Sequence, residues 1–389
     1  MSPATRRLLL RLVAAQVCLH ACMTGFRMAA PLMALRQGQS AASVGVLIAL
    51  FALSQVFLSL PAGRYVDRHG LHRPMGWAVV IAVMGGVAAT AWPVFGVLCL
   101  TALACGAATG LALIALQRTV GLLATDATEL RQVFSWLALG PSVSNFLGPL
   151  AAGVLIDASG FRAAYAVLAL LPLLAWANVG RLSLPGHLHP TPKAHARESS
   201  WTLLRQPAFT RLMAVNWVLS SCWDVHTFLV PVLGHERDFS ATAIGTILGV
   251  FAVAATLVRL AIPHLAEHLH EMKVVAGAMA LTAALFVLYP WLTSAWSMGL
   301  ASMALGFALG SVQPMIMSTL HQITPHHRHG EALALRAMTV NASSVAMPLL
   351  FGSVGAAVGA AWVFWTVAAV VGGSAPLAWR SGMAPVRRP

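Results

Sequence analysis

Gly63-Arg64-Tyr65-Val66-Asp67-Arg68-His69-Gly70-Leu71-His72-Arg73 is a short polar turn between two long apolar stretches. Its glycines permit tight turning, Asp67 supplies a carboxylate, and its Arg and His side chains put positive charge on one membrane face. It reads as a hinge loop on the cytoplasmic side. Two hundred residues later Pro263-His264-Leu265-Ala266-Glu267-His268-Leu269-His270 follows the same outline, with Glu267 opposite Asp67 and His268 opposite Arg68. A motif and its weaker copy imply two related halves.

Working outward, 58% of the 389 residues are apolar, only 9% are charged, and the mean hydropathy is +0.78. A soluble globule carries about 25% charged residues, so the chain is an integral membrane protein. A crossing takes about 20 apolar residues, and twelve short-looped spans fit this length. The predicted spans are 8–35, 42–60, 74–92, 95–123, 130–156 and 161–180, then 209–233, 241–262, 272–290, 296–322, 331–356 and 360–380. The halves are therefore 1–180 and 209–389, joined by a proline-rich polar linker at 181–208. The net charge of +13 is dispersed at the ends of apolar segments, not gathered in one patch, which argues against a nucleic-acid partner. All five cysteines fall inside spans and read as small packing residues. Arg6, Arg7 and Arg11 precede an apolar run to about Leu35, too long for a signal peptide, so it reads as a retained first span. With the N-terminus inside, Arg64, Arg68, Arg73, Arg131, Arg181, Lys193, Arg205 and Lys273 fall on the inner face, against Arg36, Arg162 and Arg237 outside. Both termini are then cytoplasmic.

The repeat extends beyond the loops. Cys22, Pro31, Gly45 and Phe51 recur 200 residues later as Cys222, Pro231, Gly245 and Phe251, and Pro149, Gly153 and Gly160 recur 199 later as Pro348, Gly352 and Gly359. Two six-helix halves in parallel repeat are the arrangement of transporters that alternate access around a midplane site. At these residues the chain resembles the major facilitator superfamily over nearly its whole length. Gly63, Asp67, Arg68, Gly70 and Arg73 match the superfamily loop signature G-x-x-x-D-R-x-G-R-[RK]-[RK], with Leu71 and His72 at two of its basic positions. Ser144, Gly148, Pro149, Ala152 and Gly153 resemble the fifth-span signature G-x-x-x-G-P-x-x-G-G of its drug and metabolite antiporters. Thr101 stands where many proton antiporters carry an arginine. The resemblance implies an all-α transporter of twelve spans working without cofactor, with Asp67 docking near Glu331 at the start of the eleventh span to hold the outward-open state. A carboxylate is favourable at such a helix start.

The first span carries Gln16, His20 and Thr24, with Arg27 on the same face, and the seventh carries Asn216, Ser220 and Asp224 at the first three positions plus 200. Ser, Thr and Asn in membrane helices often only bond a neighbouring helix. Charged groups cost about 2.5–3.5 kcal/mol each at the bilayer centre, so Arg27, Arg118, Arg259, Arg336 and Asp224 should face protein or water. Arg118 and Arg336 read as cavity residues, while Arg259, close to the second loop, reads either as cavity or as snorkelling to the inner interface. Gln313, Asn341, His226, Phe26, Trp136 and Trp223 complete the candidate lining. With Asp224 the one acid deep in a span, the lining favours anionic or amphipathic small molecules. An Arg27–Asp224 pair reads as a proton-linked outer gate, with His20 or His226 as relay, or as a static pair holding the halves in register. His264-x-x-Glu267-His268 spells a zinc-hydrolase motif. It coincides with the repeat of the hinge loop, starts beside a proline and lacks a third ligand, so a metallohydrolase is the competing class. The expectation is a monomeric secondary transporter of the inner membrane, proton-coupled and exporting, or an uncoupled facilitator of the same fold.

Overall fold

The computed structural model describes residues 3–123, 127–182, 200–265, 271–324 and 329–381. Eleven α-helices carry them: α1 Pro3–Arg36, α2 Ala41–His69, α3 His72–Ala91, α4 Phe95–Leu123, α5 Ala127–Val179, α6 Pro207–Glu236, α7 Ala241–Leu265, α8 Glu271–Leu288, α9 Ala295–Ile323, α10 His329–Val358 and α11 Ala360–Ser381. Helix α5 is two arms meeting at Gly160, where φ 81 and ψ 172 leave the helical region. The α10–α11 break at Gly359, φ 90, is its counterpart. Only a residue without Cβ takes such angles cheaply. Twelve arms result, six in each half. Below, the end where α1 begins is the near end and the end where it finishes is the far end.

The far-end turns are built twice. Gly38 and Asp238 both have positive φ, 78° and 54°. Ser40 Oγ accepts the Ser43 N–H and Ser240 Oγ accepts the Ala243 N–H, so each caps the helix that follows. Gln37 donates to the Pro93 carbonyl at 2.6 Å, and Arg237 donates to those of Pro290 and Leu292. Side chain and turn thus recur together although the residue types have diverged.

The halves meet along two crossed seams, α2 with α10 and α5 with α7. At one, a Cβ on Gly45 would overlap the Pro348 carbonyl; at the other, a Cβ on Gly245 would overlap that of Pro149. The seams exchange glycine and proline between halves, which is why those four residues recur in the sequence at nearly the same offset. Inside the first half, Phe26 stacks on Tyr165 at 5.2 Å, and both are fully buried. Outward-facing Phe57, Trp77, Met84, Leu100 and Leu257 are exposed, as a lipid-facing surface requires. Eight stretches among the described residues are long and apolar enough to cross a bilayer. Helices α6 and α10 are not among them, and they bring the most polar residues to the centre.

The structure departs from the expected boundaries at the opening motif. Helix α2 runs to His69 and α3 starts at His72, so Gly63, Asp67 and Arg68 lie within the helix. The turn is confined to Gly70, φ 68, and Leu71. Polar side chains at a helix end do not stop the helix; the positive-φ glycine does. The Asp67 side chain, the linker residues 183–199 and the Glu267–His268 repeat lie outside the described residues.

Candidate functional site

A cavity of about 440 Å³ lies between the halves. Helix α1 contributes His20 and Arg27, α5 contributes Pro141 and Asn145, and α6 contributes Asn216, Ser220, Trp223 and Asp224. Arg259 comes from α7, Gln313 from α9, and Arg336, Asn341 and Ser344 from α10. The period of 3.6 explains the α6 contribution: positions 216, 220 and 224 share one face, so Asn216, Ser220 and Asp224 all reach the lining. On α1 the expected stripe divides. Thr24 Oγ1 donates to the Ser144 carbonyl of α5 at 2.9 Å, and Gln16 is buried against Gly140, while His20 and Arg27 face the cavity.

Towards the far end the cavity tapers and shuts. Arg27 Nη2 stands 3.7 Å from Asp224 Oδ1, with side-chain exposures of 26% and 4%. The same carboxylate accepts hydrogen bonds from Ser343 Oγ at 3.0 Å and Ser344 Oγ at 3.2 Å, both on α10. Three helices from two halves therefore converge on one acid. Beyond Arg27 only about 50 Å³ remains, among Thr24, Pro149, Trp223 and Phe251. Farther out, Asp157 of the first α5 arm accepts the Ala241 N–H at 3.0 Å and the Thr242 N–H at 2.6 Å. These are free donors in the first turn of α7, where the helix dipole favours an anion. The far end is closed by an ion pair, two glycine–proline seams and this carboxylate cap.

The expected lining residues His20, Arg27, Trp223, Asp224, Gln313, Arg336 and Asn341 are brought together here. Arg118 and His226 do not line the cavity. His226 is fully buried among α6, α7 and α9, with Nε2 2.8 Å from Ser302 Oγ and its ring stacked on Phe251 at 4.2 Å. Two residues past Asp224, it points into the second half's core, away from the acid. Phe26 belongs to the core of the first half. Arg259 takes the cavity place expected of Arg118: its Nε donates to the Gly310 carbonyl at 3.3 Å and its guanidinium lies over the Trp223 ring at 5.7 Å. Pro149 sits in the α5–α7 seam, whereas Gly148 packs within the first half, where a Cβ on it would overlap Thr24 of α1. Sequence reasoning missed Asp157, Ser343 and Ser344. The signal for the last two was a Ser-Ser pair seven and eight residues after Arg336, the face Arg336 itself occupies. For Asp157 it was a lone acid three residues before the helix-breaking Gly160.

The Major Facilitator Superfamily model matches residues 12–327. "Multidrug resistance protein MdtG" of Escherichia fergusonii is 25% identical over 252 residues, 63% of this chain and 62% of that protein, so that match spans under two thirds of the relative. The protein of the same name in Dickeya zeae is 24% identical over 89% of this chain and 86% of its own. Among solved structures, a bacterial homolog of the human lysosomal transporter Spinster aligns with a TM-score of 0.79 at 12% identity, covering 98% of both chains. A POT family transporter in complex with 5-aminolevulinic acid aligns at 0.78 with 13% identity, covering 98% of this chain and 96% of its own. Matched twelve-arm fold, doubled seams and a central polar cavity agree with the family model: the chain is a multi-pass membrane protein that belongs to the Major Facilitator Superfamily.

Proposed function

We propose that this transporter exports a small organic molecule, anionic or amphipathic, by alternating access coupled to protons, across a bacterial inner membrane with both termini cytoplasmic. The near end is then the cytoplasmic end. In this reading residues 1–180 and 209–389 rock about the seams as two bodies, joined by 181–208, and the protein works as a monomer. The reading is carried by Asp224, an acid 4% exposed that is shared between Arg27 of one half and Ser343 and Ser344 of the other. Rocking the halves must separate Arg27 from Asp224. A buried carboxylate that loses its cation favours the protonated form, so opening the far end and taking up a proton become one event. His20, beside Arg27 in the cavity, offers a route for that proton. The multidrug resistance names of the bacterial relatives support an organic substrate moved outward.

Proteoliposomes loaded with candidate compounds and given an imposed pH gradient test this. Gradient-driven movement that collapses with a protonophore is expected; movement indifferent to the gradient overturns the coupling. That second result would favour an uncoupled facilitator, for which Thr101 speaks. Its hydroxyl is buried and donates to the Gly85 and Val97 carbonyls, where many proton antiporters place an arginine.

A further inference from the structure

The charges in the cavity do not balance. Asp224 is the one acid among the described lining residues, and Arg27 is within 3.7 Å of it. Its oxygens also take the Ser343 and Ser344 hydroxyls, so it has little left to offer a cationic ligand. Arg259 and Arg336 remain, from α7 and α10, close enough to act on each other electrostatically. Neither has a carboxylate partner among the described residues. Arg336 Nε is buried with no acceptor there, as is Arg27 Nε. A guanidinium offers five donors and accepts nothing, so the terminal nitrogens of Arg259 and Arg336 that face the cavity can only be matched by acceptors. At a rise of 1.5 Å per residue, Arg336 lies about 10 Å from the start of α10 and Arg259 about 9 Å from the end of α7. Both are nearer the near end than Asp224 is. The two arginines without a carboxylate partner among the described residues stand at the entry side of the cavity, and the paired charge stands at its closed side.

Two like charges facing one cavity inside a membrane are costly unless something negative joins them. Two planar forks match a group with several charged oxygens better than they match a lone carboxylate. The space of about 440 Å³ far exceeds such a group, and Pro141, Leu219, Leu309, Val312 and Val340 supply apolar wall for the rest. We propose that the cavity takes an organic dianion, a phosphate monoester or a dicarboxylate with an apolar body, whose oxygens are held between Arg259 and Arg336. The binding half is then the second one, and Arg27–Asp224 belongs to the gate and not to the ligand. This rests on the transporter reading only for what happens after binding.

The test measures equilibrium binding to purified protein in detergent of phenyl phosphate, phthalate, benzoate, benzamide and tetraphenylphosphonium. At least one dianion should bind about tenfold more tightly than benzoate, with benzamide weaker still. The arm that binds, phenyl phosphate or phthalate, identifies the head group. Arg259→Gln and Arg336→Gln should each weaken that dianion about tenfold or more and leave tetraphenylphosphonium unchanged. Arg336→Lys keeps the charge but loses the fork, and should weaken it by a smaller factor; this variant decides the matter if a Gln variant fails to fold. Dianions that bind no better than benzoate, or arginine variants that bind them unchanged, overturn the assignment. Protein-dependent movement of tetraphenylphosphonium, beyond its leak through protein-free vesicles, would uphold the transporter reading while the dianion assignment fell, so the two failures are distinguishable.

Discussion

The proposed exchange of a cation for a proton at Asp224 fits its other partners, which tolerate both forms. A serine hydroxyl donates to a carboxylate and accepts from a carboxylic acid, so Ser343 and Ser344 keep their bonds to Asp224 whether Arg27 is present or gone. Asp224→Asn should therefore abolish pH-gradient-driven transport, a drop of about tenfold or more, while substrate exchange without a gradient survives. If the pair is only a static brace, exchange and thermal stability should fall together, since stripping one partner from a buried pair costs about 3–5 kcal/mol. Measuring both rates and the melting temperature in the same preparation separates these. At this scale the sequence was legible where cost decides: an acid in mid-span must be satisfied, and the 3.6 period put Asn216, Ser220 and Asp224 on one face. It was not legible for Arg118 against Arg259. A span gives the depth of an arginine, but the neighbour that its side chain meets depends on how the helix is rotated in the bundle.

Between elements, the far-end closure combines packing with the Arg27–Asp224 pair and one carboxylate cap. Asp157 accepts two N–H groups of α7 across the boundary between halves, and it has no carboxylate counterpart in the other seam, where Ala356 and Ala357 occupy the repeat positions. Asp157→Ala should relax only the α5–α7 side. Losing a carboxylate on a helix start with two hydrogen bonds costs about 1–2 kcal/mol, which raises the far-open population roughly 5- to 30-fold. Distances between spin labels at the far ends of α5 and α7 would record it; an unchanged distribution would mean that packing alone holds the seam. Gly245→Val attacks the packing itself. Its side chain meets the Pro149 carbonyl, so the variant should insert normally yet fail to close, leaving far-end cysteines open to a membrane-impermeant reagent. The seams were half legible: the offsets of 199 and 200 revealed Gly45, Gly245, Pro149 and Pro348 as repeats. That each glycine meets the proline of the opposite half needed the fold, because a repeat says what is equivalent and not what touches.

On the proposed alternating-access reading, the whole molecule is a two-state balance held by different devices at its two ends. Asp157 holds the far end shut in the described state. The family resemblance assigns the opposite task to Asp67, holding the near end shut by docking on the start of α10, and helix α2 carries the motif to that end before turning at Gly70. Both acids belong to the first half; if Asp67 docks on the start of α10 as the resemblance implies, each acts on a helix start of the second half and their effects on the balance oppose each other. Asp67→Asn should favour the near-open state and slow transport with membrane insertion intact, and Glu267→Gln should do so less, its loop having lost both glycines. Asp157→Asn should favour the far-open state. The two sites lie at opposite ends of helices about 30 Å or more in length, far enough apart for their free energies to add. The double variant Asp67→Asn/Asp157→Asn should therefore recover a near-open to far-open ratio within about threefold of the unmodified protein, and turn over faster than the more impaired single variant. Near-end and far-end cysteine accessibility, read in the same four proteins, gives that ratio directly. Shifts in the same direction for both single variants would show that the acids are not opposed latches.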